Sequence, residues 1–264
     1  MHGWCPLQDS SAPIALGTGS EHPYGRIVPP RRSFQRNILK ILALDTSTEY
    51  CSAALWIDGA LDEQEARAGQ THSELVLGMI DALLKARALT LRELDGIAFG
   101  AGPGSFTGLR IACGVVQGLA FGADLPVVGV GTLLAMVEGT GAERVVCCSD
   151  ARMNEIYHAA YERHGETWRA MHEPSVCAPQ SAPALTGDGW LGCGSGFEAY
   201  RAQLESRYAG CLGAVDAHCY PHARSIARLA LPRFMAGSVG RAESAAPFYV
   251  RDKVALRTDE RATR

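Results

Sequence analysis

What the chain lacks narrows its class before any motif is read. It has no uninterrupted apolar stretch long enough to span a bilayer, and its N-terminus lacks the basic-then-apolar order of a signal peptide. A cytoplasmic protein without a membrane association is the expectation. Its nine cysteines include no Cys-x-x-Cys pair and sit mostly inside apolar runs such as Val145-Val146-Cys147-Cys148, which reads as reduced, core-filling thiols. No Ser-His-Asp or Cys-His set is recognisable by spacing, and Ser105 lies in no Gly-x-Ser-x-Gly context, so the sequence offers no nucleophile. The chain also lacks a strongly basic body. Residues 1–37 carry four Arg against two acids and residues 251–264 five basic residues against three acids, leaving 16 basic and 23 acidic residues between. An acidic body is a poor electrostatic match for nucleic acid, so any role with RNA requires a partner.

What is present is enough for a substantial core: 264 residues, 47% hydrophobic and 20% charged, suit one large domain or two lobes. Residues 1–37 are rich in Pro, Gly and Ser without periodicity and are expected to be a disordered extension. The abrupt onset of pattern at Asn37 or Ile38 fits a translation start inside the chain equally well. Ile38–Asp45 reads as a buried strand, Ser52–Ile57 as a second, Asp58-Gly59 as a hairpin turn and Ala60–Arg67 as a third strand. Thr71 and Glu74 have capping-box spacing ahead of an apolar helix running to Ala88. A strand over Gly96–Gly100, a glycine-dense turn, a helix over Thr107–Ala123 and a strand over Val127–Val130 complete the unit. Val145–Asp150, Glu155–Tyr161 and Thr167–His172 then start the pattern again, so Asp45 and Asp150 end equivalent strands. A looser stretch, 174–183, leads to helices over Phe197–Arg207 and Pro221–Phe234. The expected fold class is α/β, with two lobes at 38–139 and 140–255, each a mixed sheet in β-β-β-α-β-α order, and a basic tail at 256–264. This duplicated order resembles the actin, Hsp70 and sugar-kinase superfamily.

The turn Gly100-Ala-Gly-Pro-Gly-Ser-Phe-Thr-Gly-Leu-Arg110 is the most informative stretch. Its glycines permit close approach to another surface, and Ser105 and Thr107 can cap the following helix. Such a turn suits either a phosphate or a tight strand-to-helix connection. Asp45-Thr46-Ser47-Thr48 ends a strand where a nucleotide lobe would present a carboxylate and hydroxyls, and it reads equally as a turn closing the first hairpin. His72 has Ala68 and Val76 one helical turn away, which makes it a capping or interface residue and not a metal ligand. His218 and His222 are four apart, but Pro221 starts the helix between them and removes the shared face. Gly114, Gly118 and Gly122 recur along one helix face; each costs up to about 1 kcal/mol against alanine, and a close-packed neighbour would compensate. That neighbour is internal or a partner subunit. The broadly apolar helix at 72–88 favours a subunit contact made by the two helices together.

Read in order, Ile41-Leu-Ala-Leu-Asp-Thr-Ser-Thr, Cys51-Ser-Ala-Ala-Leu, Thr71-His-Ser-Glu, Gly102-Pro-Gly-Ser-Phe-Thr-Gly-Leu-Arg110 and Pro247-Phe-Tyr-Val-Arg251 resemble the TsaB family over Ile38 to Ala255. The resemblance is specific in the first hundred residues of that span and looser beyond, through Asp150-Ala-Arg-Met-Asn-Glu-Ile-Tyr157. It implies an actin-like ATPase (ASKHA) fold. It also implies a non-catalytic scaffold and activating subunit in tRNA N6-threonylcarbamoyladenosine synthesis, with no cofactor or metal of its own. The implied partners are a TsaD-type transferase subunit and a TsaE-type ATPase, with a homodimer when alone and tRNA reached only through the complex. The catalytic paralogue's metal-binding His-x-x-x-His pair, aligned at His72, would place its first histidine at Ala68. Interface residues implied by the family's helix pairing are His72, Leu75, Met79, Ile80, Leu83, Ile111, Gly114, Val115, Gly118 and Gly122. A vestigial phosphate site would comprise Asp45, Ser47, Gly102, Gly104, Ser105 and Arg110. The rival reading is a stand-alone actin-fold small-molecule kinase or ATPase; a metallopeptidase is a second.

Overall fold

The computed structural model describes residues 38–69 and 71–251; the expected N-terminal extension and basic tail lie outside the described residues. The first lobe opens with an antiparallel meander of β1 (Lys40–Asp45), β2 (Tyr50–Ile57) and β3 (Ala60–Arg67). Two parallel strands, β4 (Gly96–Gly102) and β5 (Val127–Gly131), complete a sheet of order β3-β2-β1-β4-β5. The central strands are continuously apolar because both faces are covered, whereas the edge strand β3 carries Asp62, Glu63 and Glu65. Alternation along β1 sends Leu42 and Leu44 toward α1 (His72–Ala86) and α2 (Phe106–Ala123), and Ile41 and Ala43 toward the opposite face.

The second lobe repeats this plan. Strands β6 (Arg144–Asp150), β7 (Ile156–His164), β8 (Thr167–Cys177), β9 (Trp190–Cys193) and β10 (Leu212–Asp216) form a sheet of order β8-β7-β6-β9-β10, the same topology as the first. Asp45 and Asp150 are therefore equivalent, as the sequence pattern implied. The repeat is incomplete: between β8 and β9 the counterpart of α1 is reduced to a single 3₁₀ turn, Pro179–Ser181. Strand β8 also absorbs the start of the stretch read as loose. The helix expected over Phe197–Arg207 is two short pieces, α4 (Gly196–Ala199) and α5 (Arg201–Arg207), broken at Tyr200.

Two helices cross between the lobes. Helix α3 (Thr132–Thr140), which the sequence reading did not anticipate, follows β5 but packs Leu133, Met136 and Val137 against Val145, Cys147 and Ala159 of the second sheet. Helix α6 (Ala223–Met235) follows β10 but packs Ile226, Ala230 and Phe234 against Ile41, Ala98 and Val128 of the first. A division at residue 139 thus separates α6 from the core it completes. Helix α6 begins after Pro221, with His222 at its N-cap position. At α1 the anticipated capping box is absent: Thr71 Oγ1 donates back to Ala68 O at 2.9 Å, and the reciprocal pair forms instead at Thr90 and Glu93.

Helix α2 is long and apolar enough to cross a membrane by length and composition. Its packing uses that apolarity otherwise: Leu109, Ala112, Cys113, Val116, Ala120 and Ala123 are buried in the molecule.

Candidate functional site

The glycine turn lies where β4 delivers the chain to α2, and its close neighbours are the chain's own backbone. A Cβ on Gly104 would stand 2.7 Å from Ser47 O, and one on Gly108 only 1.9 Å from Thr46 O. Gly102, at φ +120°, would meet Phe248 O at 2.5 Å. Hydrogen bonds hold these approaches: Ser105 N donates to Ser47 O (2.7 Å), Thr46 Oγ1 to Gly108 O (2.7 Å), and Thr132 Oγ1 to Pro103 O. Ser105 caps α2 by accepting from Gly108 N at 3.3 Å, while Thr107 lies inside the helix. The glycines thus serve a tight connection in which the first hairpin's turn occupies the space a phosphate cradle would offer.

Asp45 is enclosed by the same packing. Its Oδ1 accepts from Ser47 N (2.9 Å) and Ser47 Oγ (2.8 Å), and its Oδ2 is buried without a hydrogen-bond partner. Burial raises its pKa to about 6, against the opposing effect of the two Ser47 bonds. The carboxylate expected to face phosphate is turned into the lobe. His72, buried at the start of α1, donates from Nε2 to Thr48 O (2.8 Å) and fixes the far side of this hairpin turn.

A segment that the sequence singled out only through the family motif straps the site. Phe248 N donates to Ala101 O (2.7 Å), Arg110 Nε donates to Tyr249 Oη (3.2 Å), and the Arg110 guanidinium lies 3.7 Å from the Phe106 ring centre. The strap ends on the second lobe, where Arg251 pairs with Glu155 and lies 3.4 Å from Met153 Sδ. The second lobe's own glycine turn follows the same logic. Gly194 and Gly196 each approach Cys148 O so closely that a Cβ would stand 2.7 Å from it. Asp150 there accepts from Arg152 N (2.9 Å) and Tyr200 Oη (3.2 Å), and its amide donates to Ser195 Oγ (3.0 Å).

The two histidines near α6 do not form a pair. His222 Nδ1 faces Glu65 beside Glu63, which is itself paired with Arg224 at 2.8 Å, while His218 N donates to Asp216. Each carboxylate of this group thus has a side-chain partner within the protein, Glu63 with Arg224 and Glu65 with His222.

The helix pair divides the expected interface residues between core and surface. His72, Met79, Ile80 and Leu83 are buried in the first lobe's own core, so α1 is broadly apolar because it lies between the sheet and α2. Leu75, Ile111 and Val115 are half-buried against that core. Gly114, Gly118 and Gly122 are exposed, and a Cβ on any of them would meet none of the described residues within 4 Å. Phe121 beside them is 83% exposed. Among the described residues, no internal neighbour offsets the helix propensity lost at these glycines.

A family model described as "TsaD: tRNA N6-adenosine threonylcarbamoyltransferase" matches residues 65–208. Two proteins named "tRNA threonylcarbamoyladenosine biosynthesis protein TsaB" are similar across nearly their whole length. The one from Escherichia coli K12 is 36% identical, covering 82% of this chain and 96% of its own. That from Haemophilus influenzae is 39% identical, covering 82% and 95%. The solved structure of YeaZ from Pseudomonas aeruginosa superposes with a TM-score of 0.74 at 37% identity, covering 80% of this chain and 99% of that one. A second solved structure, from the same organism and titled as similar to peptidase YEAZ, gives a TM-score of 0.75 at 36% identity, covering 81% of this chain and all of that one. With its duplicated actin-like sheets, its glycine turn and these relatives, the chain belongs to the TsaB family.

Proposed function

We propose that this chain is a non-catalytic scaffold subunit in tRNA threonylcarbamoyladenosine biosynthesis. In this reading it binds and activates a TsaD-type transferase, is joined by a TsaE-type ATPase, pairs with itself when alone, and meets tRNA only through the assembly. The relatives' names supply the pathway, and the enclosed Asp45 and self-filled glycine turns support the absence of phosphoryl chemistry.

The observation that carries the partner reading is the exposed stripe of Gly114, Gly118 and Gly122. A helix gives up roughly 2–3 kcal/mol of propensity at three glycines, and close approach of a second helix is what such a stripe allows. Ser105 and Arg110, at the start of the same helix, are polar side chains of the turn that face solvent while bonding Gly108 N and Tyr249 Oη. The test is co-purification with TsaD-type and TsaE-type proteins, with and without ATP, followed by a modification assay on unmodified tRNA. Activity that depends on this chain together with the transferase is expected. Nucleotide hydrolysis or phosphoryl transfer by the isolated chain would instead establish the stand-alone kinase reading.

A further inference from the structure

Helix α6 crosses from the second lobe onto the first, and its N-terminus carries an unusual residue. The N-cap position favours Ser, Thr, Asp or Asn, whose side chains accept from the first amides. Here it is His222, whose side chain makes no cap bond. The first lobe supplies the cap instead: Ala223 N donates to Ser52 Oγ (2.9 Å) and Arg224 N to Glu63 Oε1 (3.2 Å). The imidazole of His222 is thereby left to face β3, with its Nδ1 on Glu65 Oε2. Glu63 and Glu65 are two residues apart and so share one face of that strand. One ligand atom from each of Glu63, Glu65 and His222 lies within 4.8 Å of the other two. An edge strand and a helix far apart in sequence thus bring two carboxylates and one imidazole together, on the face of the first sheet opposite α1 and α2.

We propose that Glu63, Glu65 and His222 form a Zn²⁺ site that ties α6 to the edge of the first sheet. An imidazole nitrogen with carboxylate oxygens is a donor set for a borderline cation such as Zn²⁺, whereas Mg²⁺ and Ca²⁺ take oxygen ligands. Three protein ligands leave the fourth tetrahedral position to water. The side chains of Glu63, His222 and Glu65 are 14%, 21% and 32% exposed, so they are held in place and still reached by solvent. Donors roughly 2.0–2.2 Å from zinc stand about 3.3 Å apart in a tetrahedral shell, so the group closes on the ion through side-chain shifts of roughly 1–2 Å. Charge balances as well: two carboxylates and a neutral imidazole with Zn²⁺ sum to zero. The ion displaces two occupants. Arg224, paired with Glu63 at 2.8 Å and 42% exposed, turns out to solvent. The proton on His222 Nδ1 gives way to a Zn–N bond; a cationic ring releases it to solvent and a neutral ring regains one at Nε2, with no change in oxidation state.

The test is titration of the reduced full-length protein with Zn²⁺ in competition with a chromophoric chelator. One equivalent retained by the protein is expected, with X-ray absorption showing nitrogen and oxygen ligands and no sulfur. His222→Ala and Glu65→Gln should each weaken binding at least tenfold, and His218→Ala should leave it unchanged. Arg224→Ala, which removes the competing cation, should tighten binding at least twofold, a gain that an ion-pair role alone would not produce. Zn²⁺ should also raise the melting temperature of the parent and not that of His222→Ala. Should His222→Ala fail to fold, the parent's absorption spectrum and Arg224→Ala still decide. No equivalent retained, sulfur ligands on the metal, affinity unchanged in Glu65→Gln, or weaker binding in Arg224→Ala would overturn the proposal.

Discussion

Asp45 Oδ2 lies against the backbone of Gly100, so close that a Cβ added to that glycine would stand 1.9 Å from it. This contact fixes what the first lobe's strand-end carboxylate can do. An oxygen covered by the next strand has no route to a phosphate-bound metal, and burial raises the group's pKa from 3.8 to about 6. A folded-state pKa above the unfolded one means that the native state holds the proton more tightly. The ionised carboxylate therefore lowers stability by about 3 kcal/mol above pH 6, and the penalty fades as pH falls toward 4. Asp45→Asn should melt no lower than the parent at pH 8, and its relative stability should decline between pH 6 and 4. Thermal melts across that range check this.

His158 imposes the opposite slope. It is fully buried on β7 beside Tyr208 and His172, with neither ring nitrogen hydrogen-bonded. Burial chiefly, with the neighbouring His172 and Arg207 adding to it, lowers its pKa from 6.5 to about 4. A depressed histidine leaves stability intact above pH 6.5 and removes it as pH falls, by about 3 kcal/mol once pH 4 is reached. His158→Leu should flatten this acid limb. Urea midpoints at pH 7 and pH 4.5 should differ less in the variant than in the parent.

The strap predicts a local effect. Arg152, Met153 and Asn154 all take positive φ, a conformation costly for residues with side chains, and Arg251 anchors Glu155 directly after them. Arg251→Ala should cost about 1 kcal/mol or less globally, since Glu155 is partly exposed. Amide exchange at residues 152–155 should nonetheless rise well above that at β6. Uniform protection across both would show that the strap does not hold this turn.

Much of this arrangement was legible because periodicity reports burial. The apolar runs at 41–44 and 145–148 marked equivalent strands, and Gly59 and Ser105 marked a turn and a cap. Helix α3 escaped notice because Thr132–Thr140 is short, apolar on most sides and begins at a glycine without a side-chain cap. Strand β10 escaped because Leu212-Gly-Ala-Val-Asp216 offers five residues, small and mostly exposed. At the site, glycine density was correctly read as close approach. What approaches could not be read, because Ser47 lies 57 residues from Gly104 and Phe248 lies 146 from Gly102 along the chain. The apolarity of Met79, Ile80 and Leu83 likewise pointed outward as readily as inward, and the sheet took those side chains.

Two glycines on one helix separate internal packing from partner contact. Gly108 faces Thr46 O, and Gly108→Ala places a Cβ 1.9 Å from that oxygen, where backbone at the hairpin turn leaves little room to yield. It should destabilise the isolated chain by about 1–3 kcal/mol. Gly118, three turns further along α2, faces none of the described residues. Gly118→Leu should leave the isolated chain folded and gain up to about 1 kcal/mol of helix propensity. Yet a bulky side chain in the stripe prevents the backbone approach that the stripe permits, so self-association and capture of the transferase subunit should both fail. Sedimentation and pull-down on the same preparation read the two effects apart. A Gly118→Leu protein that is more stable and no longer pairs places the interface on this face of α2, while a stable variant that still pairs moves it elsewhere.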